Sequence, residues 1–355
     1  MPSSRDPVAD LRQIAFLLER AGEPSFRVKA FRKAAATIEA LPADELAERA
    51  AAGTLSKLPG IGEVTARCVT ESLNGEEPVY LRRQLATEDK PIDEATAAIR
   101  AALLGDCHTH SDWSDGGSPI REMALAGRSL GHEYLVLTDH SPRLRVANGL
   151  SAERLEQQLD VVAALNEEFA AEAASGTAPE FRILTGIEVD INEDGTLDQL
   201  PSLLARLDVV VASVHSKLRM PSAEMTPRMI AAISNPHTDI LGHCTGRLVT
   251  GERGTRPPSE FEADLVFAAC QQFGVAVEIN SRHERLDPPK RLLRLAVESG
   301  CLFSIDTDAH APGQLDWQVN GAERAARCGV DPASIVNTWA AADLLGWAGD
   351  HSVRP

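Results

Sequence analysis

The sequence predicts a small all-α domain followed by an α/β barrel that is one unit short of eight. Up to about residue 75, apolar residues recur at helical spacing. After residue 103, short apolar runs alternate with helical segments, which is the pattern of a parallel sheet or barrel. A length of 355 residues also exceeds the usual size of one domain. We therefore expect a helical domain over 1–80, a linker over 81–103 and the barrel over 104–348.

Four amphipathic segments make up the helical part, and turns at Gly22, Pro42, Gly53 and Gly75 separate them. Seven apolar runs are the strand candidates of the barrel. Parallel α/β enzymes place their sites at the carboxyl ends of the strands, so the residues that end these runs are candidates for function. The runs are ALLGDCH, YLVLTDH, FRILTGIEV, LDVVVASVH, DILGH, VAVEIN and LFSIDTDAH.

The net charge of −17 is distributed unevenly, because residues 1–90 hold 13 Lys and Arg against 14 Asp and Glu. The barrel carries nearly all of the negative charge, so a phosphate substrate must be attracted locally rather than by the overall field. No apolar run approaches the roughly 20 residues needed to span a bilayer, which predicts no membrane association. The six cysteines form no C-x-x-C pair and the N-terminus has no signal-peptide pattern, so we expect reduced thiols and a cytoplasmic location.

Histidines and carboxylates at the ends of the apolar runs are candidate metal ligands. A single histidine at a strand end is commonly an ordinary polar residue, but here six of the ten histidines share this placement. Residues two apart on a strand face the same side, so H-T-H and D-A-H can each direct two ligands to one ion. The candidates are His108, His110, Asp115, His140, Glu188, His215, His243, Asp308 and His310.

Nine ligands are more than one ion needs and suffice for two or three, with Glu188 able to bridge. Because the set mixes imidazole and carboxylate, it favours Zn, Mn or Fe over Mg or Ca. The sequence therefore predicts two or three divalent metal ions.

Motifs around these ligands resemble the PHP (polymerase and histidinol phosphatase) family. They are D-C-H-T-H-S-x-x-S-D-G, T-D-H, G-I-E, S-V-H-S, I-L-G-H-x-T-G-R, E-I-N and T-D-A-H, in that order. The resemblance implies a distorted (β/α)7 barrel, a trinuclear metal centre and hydrolysis of phosphate esters. Members of the family act as phosphatases or as exonucleases attached to DNA polymerases.

The helical part resembles the N-terminal domain of bacterial family X DNA polymerases, through FRVKAFRKAAATIEALP followed by LSKLPGIG. Those polymerases also end in a PHP domain, but only the short stretch 81–103 stands here in place of their polymerase core. LPGIG resembles a helix-hairpin-helix, in which backbone N–H groups at a helix start bind a DNA phosphate. This sequence differs from the family at two positions. After the hairpin the family often has a basic residue, where this chain has Glu63, and the family's Schiff-base lysine is replaced by Cys68. The second difference argues against lyase activity.

Candidate DNA contacts are the hairpin glycines Gly60 and Gly62 and the basic residues Arg27, Lys29, Arg32 and Lys33. Such a basic cluster is as often a solvated helix face as a nucleic-acid contact. We expect Glu188, Asp308 and Arg247 to act in catalysis, with Arg247 as a phosphate clamp. Further substrate contacts are expected from Ser111, Asn280 and Arg282.

Three functions fit these observations. The leading one is a metal-dependent phosphoesterase that processes DNA ends, most plausibly a 3′–5′ exonuclease. The second is a phosphatase acting on a small monoester of the histidinol phosphate type. The third is a DNA-binding protein whose metal ions only stabilise the barrel.

Overall fold

The computed structural model describes residues 5–86, 91–251 and 254–350. The chain divides into two compact units, Met1–Pro91 and Ile92–Pro355, and each has its own hydrophobic core. The predicted linker, 81–103, crosses this division. It contains the end of helix α5 (Val79–Leu85) and the whole of helix α6 (Glu94–Ala102), while its residues 87–90 lie outside the described residues.

The described residues of the first unit form five α-helices: α1 Pro7–Arg20, α2 Ser25–Glu39, α3 Ala43–Ala51, α4 Glu63–Leu73 and α5 Val79–Leu85. Helices α1 and α2 bury apolar faces that include Leu11, Ile14 and Phe31. Each such side chain contributes roughly 1.5–3 kcal/mol through its removal from water. Thr65, in the first turn of α4, caps the start of this helix, because its hydroxyl accepts a hydrogen bond from the Gly62 N–H at 3.0 Å.

The second unit is built on a seven-stranded sheet whose strand order is the chain order, and every described pairing is parallel. This confirms the prediction of a (β/α)7 barrel behind a helical domain. The strands are β1 Gly105–Thr109, β2 Tyr134–Leu137, β3 Arg182–Asp190, β4 Val209–Ser213, β5 Ile240–Leu241, β6 Ala276–Asn280 and β7 Phe303–Asp306. The helices after α6 are α7 Ile120–Ser129, α8 Ala152–Ala174, α9 Pro201–Leu204, α10 Ser222–Ile233, α11 Ala263–Phe273, α12 Lys290–Glu298, α13 Gln318–Cys328 and α14 Ala341–Gly349.

The seam between β1 and β7 is closed mainly by side chains. One isolated parallel bridge joins Thr109 to Ala309. Below it, the Cys107 N–H donates to Asp306 Oδ1 at 2.9 Å, and the Asn337 side-chain amide donates to the Ile305 carbonyl at 2.7 Å. The barrel is therefore nearly closed, and its first and last strands lie next to each other.

Strands buried on both faces explain the near-continuous apolar runs, since β4 and β6 are buried along their whole length. All six cysteines are buried and free. Within the described ranges, no helix has the length and apolar character that a membrane span needs.

Candidate metal centre

The side chain of Glu188 lies at the middle of the candidate site, at the carboxyl end of β3. Histidines from four other strand ends surround its buried carboxylate. The Nε2 atoms of His108 and His110 lie 3.4 and 3.7 Å from Oε2, and Nδ1 of His140 lies 2.7 Å from it. The Nε2 atoms of His215 and His243 lie 3.2 and 2.9 Å from Oε1.

Asp115 and Asp308 extend this arrangement on the β1–β7 side. Asp115 Oδ1 lies 3.4 Å from His140 Nε2 and 3.3 Å from His310 Nε2, and Asp308 Oδ1 lies 3.4 Å from His110 Nε2. The structure thus brings all nine sequence-predicted ligands together. Three overlapping groups have ligand atoms close enough for a metal ion: His110, Asp115, His140 and His310; His108, His110 and Asp308; and His140, Glu188 and His215.

The donor set fits divalent ions, because many of its buried atoms have no hydrogen-bond partner among the described residues. Both carboxylate oxygens of Glu188 are in this state, as are both ring nitrogens of His110 and His243. Unsatisfied buried polar atoms are costly, so such a concentration indicates a ligand. Imidazole and carboxylate donors suit Zn, Mn and Fe, and the chain provides for two or three divalent ions.

Mutual electrostatics set the protonation of the metal-free cluster. Burial opposes charge on Glu188, but the His215, His108 and His140 rings outweigh it and hold the pKa of Glu188 well below its ordinary value. Burial likewise disfavours charge on His140, but Glu188 and Asp115 raise its pKa to about 10. Burial, together with His310 and His140, lowers the pKa of His110 to about 3.

Two carboxylates outside the predicted ligand set contact the ligand histidines and orient them. Glu278 Oε1 lies 2.6 Å from His108 Nδ1, and its Oε2 accepts a hydrogen bond from the His243 N–H. Asp190 accepts from the His215 N–H at 3.1 Å and lies 3.5 Å from the ring Nδ1. Such partners fix the ring orientation and raise the basicity of a ligand histidine.

Ser111 has a structural partner in place of the expected substrate. Its side chain is fully buried, and its N–H and hydroxyl both donate to Asp139, at 2.8 and 2.5 Å. Asp139 also accepts from Ser114 and Gln158, so it fixes the turn that carries Asp115. Ser111 therefore positions the β1 loop.

Arg247 likewise has structural partners. Its Nε donates to the Arg285 carbonyl at 3.0 Å, and a second nitrogen donates to the Leu286 carbonyl. The guanidinium is thus occupied by backbone carbonyls of the loop after β6. In this arrangement two of the three guanidinium nitrogens of Arg247 support a loop, and its role as a phosphate clamp stays a prediction.

Arg285 and Arg282, on the loop after β6, lie against the ligands. The Nε of Arg285 donates to Asp308 Oδ2 at 2.9 Å, and Nη1 of Arg282 donates to the Asp308 carbonyl and His310 Nδ1 at 2.9 and 3.0 Å. Asn280 is buried beside them, with its amide 3.4 Å from Asp308 Oδ2. Asp308 itself has a left-handed backbone, φ 53°, a conformation often found at functional sites.

No role was predicted from the sequence for Glu278, Asp190, Asp139 or Arg285. The spacing could have indicated two of them, because Asp190 follows Glu188 by two residues on β3, and Glu278 precedes Asn280 by two on β6. Asp139 directly precedes His140 in T-D-H. No local pattern indicates Arg285, because it lies in a loop of irregular backbone.

The candidate DNA contacts of the first unit divide into two sets. Arg27 forms an ion pair with Glu23 at 2.7 Å, and Arg32 one with Glu19 at 2.8 Å. Lys29 and Lys33 are exposed, and no ion pair is described for either. The Lys33 side chain crosses the hairpin and packs directly against Gly60, where φ is +86°. A Cβ added at Gly60 would lie only 2.7 Å from the Lys33 side chain. Gly62 is the N-cap of α4, and its surroundings are open.

A parallel barrel with this cluster at its carboxyl ends defines the class of protein, a metal-dependent hydrolase. Residues 106–282 match the family model of the PHP domain, and residues 4–77 match that of a helix-hairpin-helix domain. The chain therefore belongs to the PHP family and carries a helix-hairpin-helix domain ahead of its barrel. It is a hydrolase of phosphate ester bonds.

Among curated relatives, the DNA polymerase/3′-5′ exonuclease PolX of Bacillus subtilis is 40% identical over 242 residues, which are 68% of this chain and 40% of that protein. The chain thus matches less than half the length of this relative. A probable phosphatase of Thermoanaerobacter sp. is 26% identical over 66% of this chain and 91% of its own length. A crystal structure of histidinol phosphate phosphatase from Lactococcus lactis, complexed with zinc, L-histidinol and phosphate, is similar at a TM-score of 0.45 and 18% identity, over 64% of this chain and 95% of that one.

Proposed function

We propose that this protein is a metal-dependent phosphoesterase with a trinuclear centre that shortens DNA strands from their 3′ ends. The observation that carries the proposal is the convergence of five histidine rings on the buried Glu188 carboxylate, with Asp115, Asp308 and His310 beside it. When bound, divalent ions activate water as a nucleophile and neutralise the phosphoryl oxygens.

The chain's own residues would hold and surround this centre. Glu188 would bridge ions, while Glu278 and Asp190 would keep the His108 and His215 rings turned toward them. Arg285 is fixed through its Nε to Asp308. Burial opposes charge on its guanidinium, but Asp308 and Glu188 outweigh the burial and raise its pKa. It would stay charged, and together with Arg282 it would orient a phosphate beside the ions.

The match to the PolX of Bacillus subtilis and the helix-hairpin-helix domain support DNA as the substrate. The open hairpin at Gly62, with Lys33 across Gly60, would contact the DNA backbone. Hydrolysis of a small phosphomonoester is the second candidate, and the match to nearly the whole length of a probable phosphatase favours it.

One assay separates the two candidates. The full chain, loaded with Mn²⁺ or Zn²⁺, is given a 5′-labelled DNA strand and, separately, p-nitrophenyl phosphate. A ladder of strands shortened from the 3′ end supports the exonuclease, whereas monoester turnover without any shortening would overturn it. Glu188→Gln should abolish the activity, and Glu298→Gln, an exposed change on α12, should leave it intact.

A further inference from the structure

The loop between β4 and α10, residues 214–221, contains the candidate ligand His215, and hydrogen bonds hold its backbone at two points. The buried Arg228 donates to the Ser216 carbonyl at 3.0 Å, and the Ser259 hydroxyl donates to the Leu218 carbonyl at 2.8 Å. Lys217, between these two fixed points, has a left-handed backbone with φ +54°. This conformation is unfavourable for any residue with a Cβ, so the loop presents Lys217 at a cost in stability.

Lys217 and Arg219 both extend into solvent from this loop, and no ion pair is described for either within the described ranges. Nearby charges are already paired. Arg143 lies 3.5 Å from Glu193, and Asp190 lies 3.5 Å from His215 Nδ1. The two cations of the β4 loop are thus available to a ligand.

Lys217 and Arg219 follow the candidate ligand His215 by two and four residues along the chain. His215 Nε2 lies 3.2 Å from Glu188 Oε1, and Lys217 follows only two residues later. Two extended residues span at most ~7 Å, so the lysine side chain can reach a phosphate adjacent to one held at the ions. Because the barrel is strongly acidic overall, a polyanion would gain affinity from such a local pair and not from the general field.

We propose that Lys217 and Arg219 bind the phosphates of a single DNA strand next to the phosphodiester that is cleaved. The proposal rests on the function proposed above and names the group that selects a strand over a small ester. A phosphomonoester has its one phosphate at the metal ions and gains nothing from these cations. A strand has further phosphates, and each contact releases counterions as it forms.

The test compares the full chain with its Lys217→Ala/Arg219→Ala variant on a labelled single strand and on p-nitrophenyl phosphate. Roughly a 3- to 10-fold rise in KM for the strand is expected, with a loss of about 0.7 in the slope of log affinity against log salt for each contact removed. Monoester turnover and metal content should not change. The matched control is Arg182→Ala, an exposed cation at the amino end of β3 for which no ion pair is described.

Equilibrium binding of the same strand, followed by fluorescence anisotropy, separates this proposal from the proposed function. In one outcome, the wild type binds the strand with a salt slope that the double variant lowers, and yet cleaves no DNA. That result would refute the exonuclease function but support the phosphate contacts of Lys217 and Arg219. If the wild type cleaves DNA and the double variant keeps its KM and slope, the contact is refuted. An equal loss in Arg182→Ala would also refute it, because the effect would then come from total charge.

Discussion

Replacing Glu278 by Gln tests whether carboxylates behind the ligands control metal binding. Glu278 is completely buried, lies 2.6 Å from His108 Nδ1 and accepts from the His243 N–H. Gln keeps the shape and one acceptor but removes the negative charge that fixes the His108 ring with Nε2 toward Glu188. We therefore expect weaker metal binding in a barrel that still folds.

The size of the effect follows from the lost contact. A hydrogen bond to a charged partner at this distance contributes roughly 1.5–3 kcal/mol. Since 1.4 kcal/mol corresponds to a factor of ten in affinity, the variant should bind its ions roughly 10- to 100-fold more weakly.

Competition with a chromogenic chelator measures this affinity directly, and circular dichroism checks the fold. Glu298→Gln, the same change at an exposed position on α12, should bind metal like the wild type. If Glu278→Gln held its ions within about twofold of the wild type, the assigned role of Glu278 would be refuted.

Three further predictions concern the domains, the protons and the β4 loop. A chain that starts at Ile92 should lose about tenfold or more in kcat/KM for DNA but keep monoester turnover, since distant phosphate contacts add affinity and not chemistry; equal DNA cleavage at the same salt concentration would contradict this. Loading the metal-free protein with Zn²⁺ near neutral pH should release protons, because a pKa of about 10 keeps His140 protonated until an ion binds. Isothermal titration calorimetry measures this release, since the buffer takes up the protons and adds its own heat; binding heats that are the same in every buffer would contradict the prediction. Lys217→Gly should raise the free energy of unfolding by about 1 kcal/mol, by relieving the left-handed backbone, while weakening strand binding; urea titration measures the first effect.

The barrel was predictable because its strands are buried on both faces and therefore appear as separate apolar runs. Their ends carry the ligands, and the two-residue spacing of His108 and His110 is a local property of a strand. Helix α6 was less predictable. EATAAIRAA is short, and it packs against α13, which is distant in the sequence.

Loop contacts explain what the sequence could not indicate. Arg247 follows His243 closely, but its guanidinium binds carbonyls 38 and 39 residues further on, and the Thr245 hydroxyl is held by the buried Asp287 at 2.7 Å. Arg285, from that same distant segment, reaches Asp308 instead. The partner of a long cation depends on the path of two loops, and neither path follows from residue spacing.

The seam between β1 and β7 bears on the order in which the protein is assembled. Cys107 and Asp306, joined across it, are 199 residues apart in the chain. During synthesis, a nascent chain that has not extended past His310 holds only part of the ligand set, and a late, long-range docking step must complete the centre. An ion shared by His110 and Asp308 would close this long loop as a cross-link does. Metal uptake would then report that synthesis and closure of the barrel are finished.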